Sequence, residues 1–279
     1  MIGLGPFPIA VVVALLAAAA AVVAARLWAR LLPDAPSKAA GALVVDALFV
    51  GLLAARLGYV LRWWPQYAAA PWSVISIGDG GFAWWAGLPA AVGFLLWRTR
   101  SMRVLRRPTL VGVAAGLAVW LAASGTLTLL QRSAPPLPDT PLVTLDGTPE
   151  ALSAYTGTPV VVNLWATWCP PCRREMPALA EAQARYPDVR FVLANQGEDA
   201  ATIARFLQAE NLALSDVLRD PGSDTMRTFG SRGLPTTLFF DADGRLVDTH
   251  MGELTRASLA DTLRRRFDAH PTVPASSTE

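Results

Sequence analysis

The chain has 279 residues, is 53% apolar, and carries a net charge of +2 from 24 basic and 22 acidic side chains. That length leaves room for two domains. The apolar share exceeds that of an ordinary soluble protein, and the near-neutral charge gives no reason to expect a nucleic-acid partner. The excess is concentrated in residues 1–132, which are dominated by Ala, Val, Leu, Gly and Trp, whereas residues 133–279 have a normal globular composition.

Four apolar stretches follow in chain order, at about 7–32, 41–63, 81–97 and 109–130. Each reads as a membrane-spanning helix. The first is too long, and lacks the preceding basic residues, for a signal peptide. Arg26, Arg30 and Lys38 lie at the end of the first stretch or after it, and Arg98, Arg100, Arg103, Arg106 and Arg107 fill the third connection. The positive-inside rule then makes those connections cytoplasmic and puts the N-terminus and everything after Arg132 outside. The second span holds Asp46 and Arg56. At ten residues' separation they stand about 15 Å apart along the axis and cannot pair with each other, so each needs another partner or water. The aromatic segment from Pro65 to Gly81, with Trp63, Trp64, Tyr67 and Trp72, reads as interfacial or re-entrant.

Ala55-Arg56-Leu57-Gly58-Tyr59-Val60, followed by Gly80-Gly81-Phe82-Ala83-Trp84-Trp85-Ala86-Gly87-Leu88, resembles the N-terminal part of prolipoprotein diacylglyceryl transferase over about residues 40–100. That family moves a diacylglyceryl group from phosphatidylglycerol to a lipoprotein cysteine. Trp85 stands where the family has its essential His, Ala86 replaces the first Gly of the following turn, and no His precedes His250. The resemblance implies a degenerate, truncated relative without transferase chemistry. It either keeps a membrane-lipid groove near Arg56 or serves as an anchor, and the anchor is favoured because a span arginine often only snorkels or pairs structurally.

The linker 133–141, SAPPLPDTP, reads as a semi-rigid spacer. Residues 142–268 then read as an α/β domain with a mixed central sheet, and 269–279 as a tail. Expected elements are a strand at 142–145, a turn at Asp146-Gly147, a short helix near 150–155, strands at 160–165 and 189–194, helices at 200–210 and 223–229, a hairpin of 238–240 with 246–249 around Asp243-Gly244, and a closing helix at 255–267.

The run Val160–Trp165 is apolar enough for a strand buried on both faces. After it comes Trp168-Cys169-Pro170-Pro171-Cys172, then a helical pattern through Met176, Leu179 and Ala180. Cys169 therefore begins a helix, where free N–H groups and the positive helix end favour a thiolate. Pro170 and Pro171 suit the first turn. A zinc site needs about four ligands, and the chain has two Cys and two His, the latter far downstream. A purely structural bridge would close too small a loop to stabilise much. Thiol–disulfide exchange is the better reading, with Cys169 attacking and Cys172 resolving the mixed disulfide. No cofactor and no metal are expected. His250 reads as a solvated strand histidine rather than a copper ligand.

WATWCPPCRREMPAL, together with Gly233-Leu234-Pro235-Thr236-Thr237, resembles the TlpA/ResA-like branch of the thioredoxin superfamily, over about residues 137–267. The resemblance implies a thioredoxin fold, a cis Pro235, and substrate docking through Leu234, Trp168, Pro170 and Pro171. It implies catalytic roles for Cys169, Cys172 and Pro235. Asn163 stands where thioredoxins carry a buried Asp and cannot titrate. Glu175 matches an acidic residue of the ResA-like proteins and is either the proton acceptor for Cys172 or a solvated helix-face residue. The implied protein is an extracytoplasmic reductase of the bacterial inner membrane acting on secreted thiol proteins such as apocytochrome c. The spans contain no cysteine, so it would need a DsbD/CcdA-type transmembrane electron donor. A disulfide oxidant and a copper(I)-handling module are the alternatives. The Pro-Pro pair, with no charge or side-chain N–H to stabilise the thiolate, favours a reducing poise.

Overall fold

The computed structural model describes residues 9–69, 71–75, 79–131, 137 and 139–272. Most of the Pro-rich linker and residues 273–279 of the tail lie outside the described residues, as does the side chain of Trp72. The chain forms two compact units: a helical one within residues 3–74 and 81–132, and an α/β one drawn mainly from residues 133–279.

The helical unit contains α1 (Ile9–Arg30), α2 (Ser37–Arg62), α3 (Trp64–Ala69), all but the last residue of a 3-10 turn at Pro71–Ile75, α4 (Trp84–Arg98) and α5 (Arg103–Gln131). Among the described residues, Val11–Arg30, Ser37–Arg62 and Arg103–Thr126 are long and apolar enough to cross a membrane. The expected third span is shorter than the rest. Helix α4 has 15 residues, about 22 Å against a hydrocarbon core of about 30 Å. Its start is held where the Ala83 N–H donates to the Ala55 carbonyl at 2.9 Å. Its end is held where the Thr99 hydroxyl donates back to the Leu95 carbonyl at 2.7 Å.

Helix α1 packs on α5, and α2 on α4. Both pairs meet through small residues, the arrangement that lets apolar helices approach without a hydrophobic driving force. A Cβ at Gly112 of α5 would lie 2.5 Å from the Ala21 carbonyl oxygen of α1, and one at Gly87 of α4 would lie 2.6 Å from the Gly51 carbonyl oxygen of α2. Arg56 finds its partners in the backbone. Its guanidinium donates to the carbonyls of Gly81 at 3.0 Å and Val74 at 2.8 Å, and stands 5.5 Å from the Tyr67 ring centre. Asp46 is exposed on the surface of α2.

The α/β unit comprises β1 (Pro141–Thr144), β2 (Pro149–Ala151), a 3-10 turn at Leu152–Tyr155, β3 (Val160–Trp165), α6 (Pro170–Arg185), β4 (Arg190–Gln196), α7 (Ala200–Ala209), β5 (Val217–Asp220), α8 (Asp224–Thr228), β6 (Thr236–Phe240), β7 (Leu246–Met251) and α9 (Arg256–Phe267). The strands form one mixed sheet in the order β2-β1-β5-β4-β3-β6-β7. Strands β3, β4 and β5 run parallel, and the remaining pairs are antiparallel. Because side chains alternate across a strand, β3 feeds two cores. Val161 and Trp165 pack with Met176 and Leu179 of α6 and with Leu259 and Leu263 of α9. Val160, Val162 and Leu164 pack with Leu152, Phe229 and Leu238 on the other face.

Three local differences from expectation have physical reasons. The helix expected near 150–155 is a three-residue strand followed by a 3-10 turn, because β1 offers an edge for residues 149–151 to pair with. Strand β5 was not anticipated: it has four residues, including Arg219, and shows no alternation. His250 is not solvated. It is partly buried in β7, and burial holds its imidazole below the usual histidine range.

Candidate active site

Strand β3 ends at Trp165, and the turn that follows is tied to β4. The Thr167 N–H and hydroxyl both donate to the Glu198 carboxylate, the N–H at 2.7 Å, and Asn195 Nδ2 donates to the same group at 2.7 Å. This clamp fixes the chain two residues ahead of Cys169. Cys169 is the N-cap of α6, with Pro170 and Pro171 in the first turn. Its Sγ accepts the Cys172 N–H at 3.3 Å, so a donor that would otherwise be unused at the helix start points at sulfur. Cys169 and Cys172 are joined in a disulfide. Both are buried in the core of the unit, while Trp168 is 68% exposed beside them. Arg173 pairs with Glu210 at 2.6 Å and Arg174 with Glu253 at 2.7 Å.

The Leu234-Pro235 peptide bond is cis. Strand β6 begins at the next residue and pairs antiparallel with β3, Thr236 standing opposite Leu164. The register therefore brings the cis peptide to the same end of the strands as the start of α6. Leu234 packs against the cluster that contains both cysteines. The loop is held by the Thr236 hydroxyl, which donates to the Gly233 carbonyl at 2.8 Å, and by the Gly252 N–H, which donates to the Pro235 carbonyl at 2.9 Å.

Glu175 follows Cys172 by three residues, a spacing that puts the two on one helix face. It is 1% exposed, which removes the solvated reading. Its Oε1 accepts from Asn163 Nδ2 at 2.7 Å, and its Oε2 accepts from the Leu254 N–H at 2.8 Å. Burial raises its pKa to about 8, against the lowering effect of those two hydrogen bonds. The sequence marks Asn163 only as a residue that cannot titrate. The structure makes it the side-chain partner of Glu175, with Nδ2 also donating to Thr237 Oγ1 at 3.0 Å. Glu198 was missed entirely: an acidic residue in a polar turn carries no sign that it reaches back 31 positions to Thr167.

A disulfide capping the helix that follows a central strand, with a cis-proline at the start of the neighbouring strand, defines the thioredoxin-fold oxidoreductases as a class. The Redoxin family model matches residues 132–263. The ResA thiol-disulfide oxidoreductase of Halalkalibacterium halodurans is 34% identical over 113 residues, covering 40% of this chain and 64% of that protein. The ResA protein of Bacillus thuringiensis subsp. konkukian is 30% identical over 123 residues, covering 43% of this chain and 70% of its own. The thioredoxin-like protein YneN of Bacillus subtilis is 32% identical over 132 residues, 45% of this chain and 75% of that one. Among solved structures, the exposed lipoprotein thioredoxin Etrx1 of Streptococcus pneumoniae is 29% identical with a TM-score of 0.40, covering 46% of this chain and 99% of that one.

Through its α/β unit the chain belongs to the ResA-type thiol-disulfide oxidoreductase family. The prolipoprotein diacylglyceryl transferase model matches residues 1–126, a longer stretch than the segment of about 40–100 whose motifs carry the resemblance.

Proposed function

We propose that this chain is a membrane-anchored, extracytoplasmic protein disulfide reductase. The observation that carries the reading is the Cys169–Cys172 disulfide at the N-terminus of α6, with the Cys172 N–H directed at Cys169 Sγ. In the reduced protein those N–H groups and the helix end stabilise the Cys169 thiolate. The thiolate attacks a substrate disulfide and one substrate thiol leaves. Cys172 then attacks Cys169 Sγ and the second substrate thiol leaves, so the chain's dithiol is oxidised as the substrate disulfide is reduced. Exposed Trp168 and the Leu234-Pro235 loop form the docking surface, beside Pro170 and Pro171. Glu175 takes the proton from Cys172. The substrates are secreted thiol proteins, of which an apocytochrome c is one.

The membrane region acts as an anchor. The Arg56 guanidinium hydrogen-bonds its own chain's carbonyls, and Trp85 fills the place of the transferase His. The short α4, whose only charged residue is the terminal Arg98, is read as a fourth crossing packed along α2. Four crossings, with the arginine-rich third connection inside, put the redox unit outside.

A Cys172→Ser variant tests the catalytic reading. Expressed in a bacterial membrane, it is expected to accumulate dithiothreitol-sensitive adducts through Cys169, with a secreted thiol protein as the attached partner identified by mass spectrometry. Absence of such adducts, or equal adduct formation by a Cys169→Ser variant, would sink it.

A further inference from the structure

Asn163, Thr237 and His250 form one row across β3, β6 and β7, each opposite the next in register. The row lies beneath α6, where Glu175 descends to meet Asn163 at 2.7 Å. Asn163 is 0% exposed, as is Thr237. The Asn163 amide is only half used: Nδ2 donates to Glu175 and Thr237, while Oδ1 is buried with no hydrogen-bond partner among the described residues. Buried polar atoms are rarely left unpaired, and an exception calls for a reason. An amide holds a donor and an acceptor on one rotatable group. Against an ionised carboxylate it presents the donor. Turned over, it presents the acceptor, which suits a protonated carboxyl.

We propose that Asn163 is a positioning residue for proton transfer in the resolving step, its carboxamide serving Glu175 in both protonation states. The inference rests on Glu175 being the acceptor proposed above. In the mixed disulfide, Nδ2 holds the carboxylate beside Cys172. The Cys172 S–H bond breaks and its proton passes to the Glu175 carboxylate. The sulfur bonds to Cys169 Sγ, the Cys169–substrate bond breaks, and its electron pair leaves on the substrate sulfur, which is protonated from solvent. The amide then turns, and Oδ1 accepts the new Glu175 O–H. An aspartate at 163 would instead set two carboxyls at hydrogen-bond distance, and one of them would be held protonated.

The bond to the ionised carboxylate is charge-assisted and the stronger of the two. Losing Asn163 should therefore disfavour the ionised acceptor. Other ionisable side chains belong to the same surroundings: Cys172 on the same helix, Glu253, which is paired with Arg174, and His250 across from Thr237. Any pH profile must be compared between variants for that reason.

The test uses the full-length reduced chain in detergent micelles with glutathione disulfide, quenched in acid and read by mass spectrometry as the lifetime of the Cys169–glutathione adduct from pH 5 to 10. In Asn163→Leu the adduct at pH 7 should persist about tenfold longer, with the midpoint of the profile about one pH unit higher. In a Glu175→Gln background the same substitution should change neither. If Glu175→Gln prolongs the adduct and Asn163→Leu does not, the Asn163 proposal falls alone. If Glu175→Gln leaves lifetime and profile at the parent values, the acceptor reading falls and takes this proposal with it. Should Asn163→Leu fail to fold, Asn163→Ser, whose hydroxyl is too short to reach Glu175, carries the same expectation.

Discussion

Glu175, in the role proposed for it, is costly to the fold and useful to the chemistry. A buried carboxyl is favoured in its neutral form, and here it titrates at about 8 against an ordinary 4.5. Between those values the folded chain holds a proton that the unfolded chain has lost. Its contribution to stability is therefore complete below the lower value and declines as pH rises, by about 1.4 kcal/mol per pH unit, until the higher value is passed. Replacing Glu175 with Gln removes the titration and keeps an oxygen for the Leu254 N–H. The oxidised Glu175→Gln chain should gain thermal stability over its parent, by little near pH 5 and by several kcal/mol near pH 9. Melting curves at pH 5, 7 and 9 check this, and a difference between variant and parent that does not change with pH would contradict the assigned burial. The same variant should be a poorer catalyst of resolution, a trade familiar at functional sites.

At the scale of elements, what could be read beforehand was what repeats locally. Strand β3 was legible because cover on both faces demands an uninterrupted apolar run, and α6 because its start carries the capping cysteine and two prolines. The interrupted features were harder to see. Strand β2 and strand β5 exist because β1 and β4 offer them edges, not because of their own few residues. The third stretch reads from Gly81 because the apolar Phe82 and Ala83 continue the composition of α4 ahead of its hydrogen-bonded turns. The pairing of Asn163 with Glu175 depends on how far α6 is rotated over the sheet, which no spacing in the sequence records.

The glycines of α5 make the element scale testable. Gly112→Leu drives a side chain into the Ala21 carbonyl, whereas among the described residues nothing lies within 4 Å of a Cβ built at Gly125. Gly112→Leu should destabilise the helical unit by about 1–3 kcal/mol, the usual cost of overpacking, while Gly125→Leu leaves it unchanged. Thermal melts of the two variants in the same detergent compare them directly. Equal melting temperatures would mean that α1 and α5 do not rely on this approach.

For the whole molecule, the decisive fact is where the sulfur is. Both cysteines of the chain belong to the redox unit, and residues 1–168 contain none. On the reductase reading proposed above, each round of substrate reduction leaves Cys169 and Cys172 joined, and two electrons must reach them before the next. Thiol–disulfide exchange moves electrons only between sulfurs in contact, so the helical unit offers no path across the bilayer. We propose that a transmembrane dithiol protein of the DsbD/CcdA type supplies one. The arrangement can be tested in sealed vesicles that hold the full chain with its redox unit outward and contain thioredoxin, thioredoxin reductase and NADPH inside. Alkylation of exposed thiols, read as a shift on a gel, should show the Cys169–Cys172 bond intact for as long as the vesicles stay sealed. Co-reconstituting a DsbD/CcdA-type protein should convert it to the dithiol. Reduction from inside without that second protein would show that electrons cross by a route the cysteine positions do not provide, and the reductase reading would have to be rebuilt around that route.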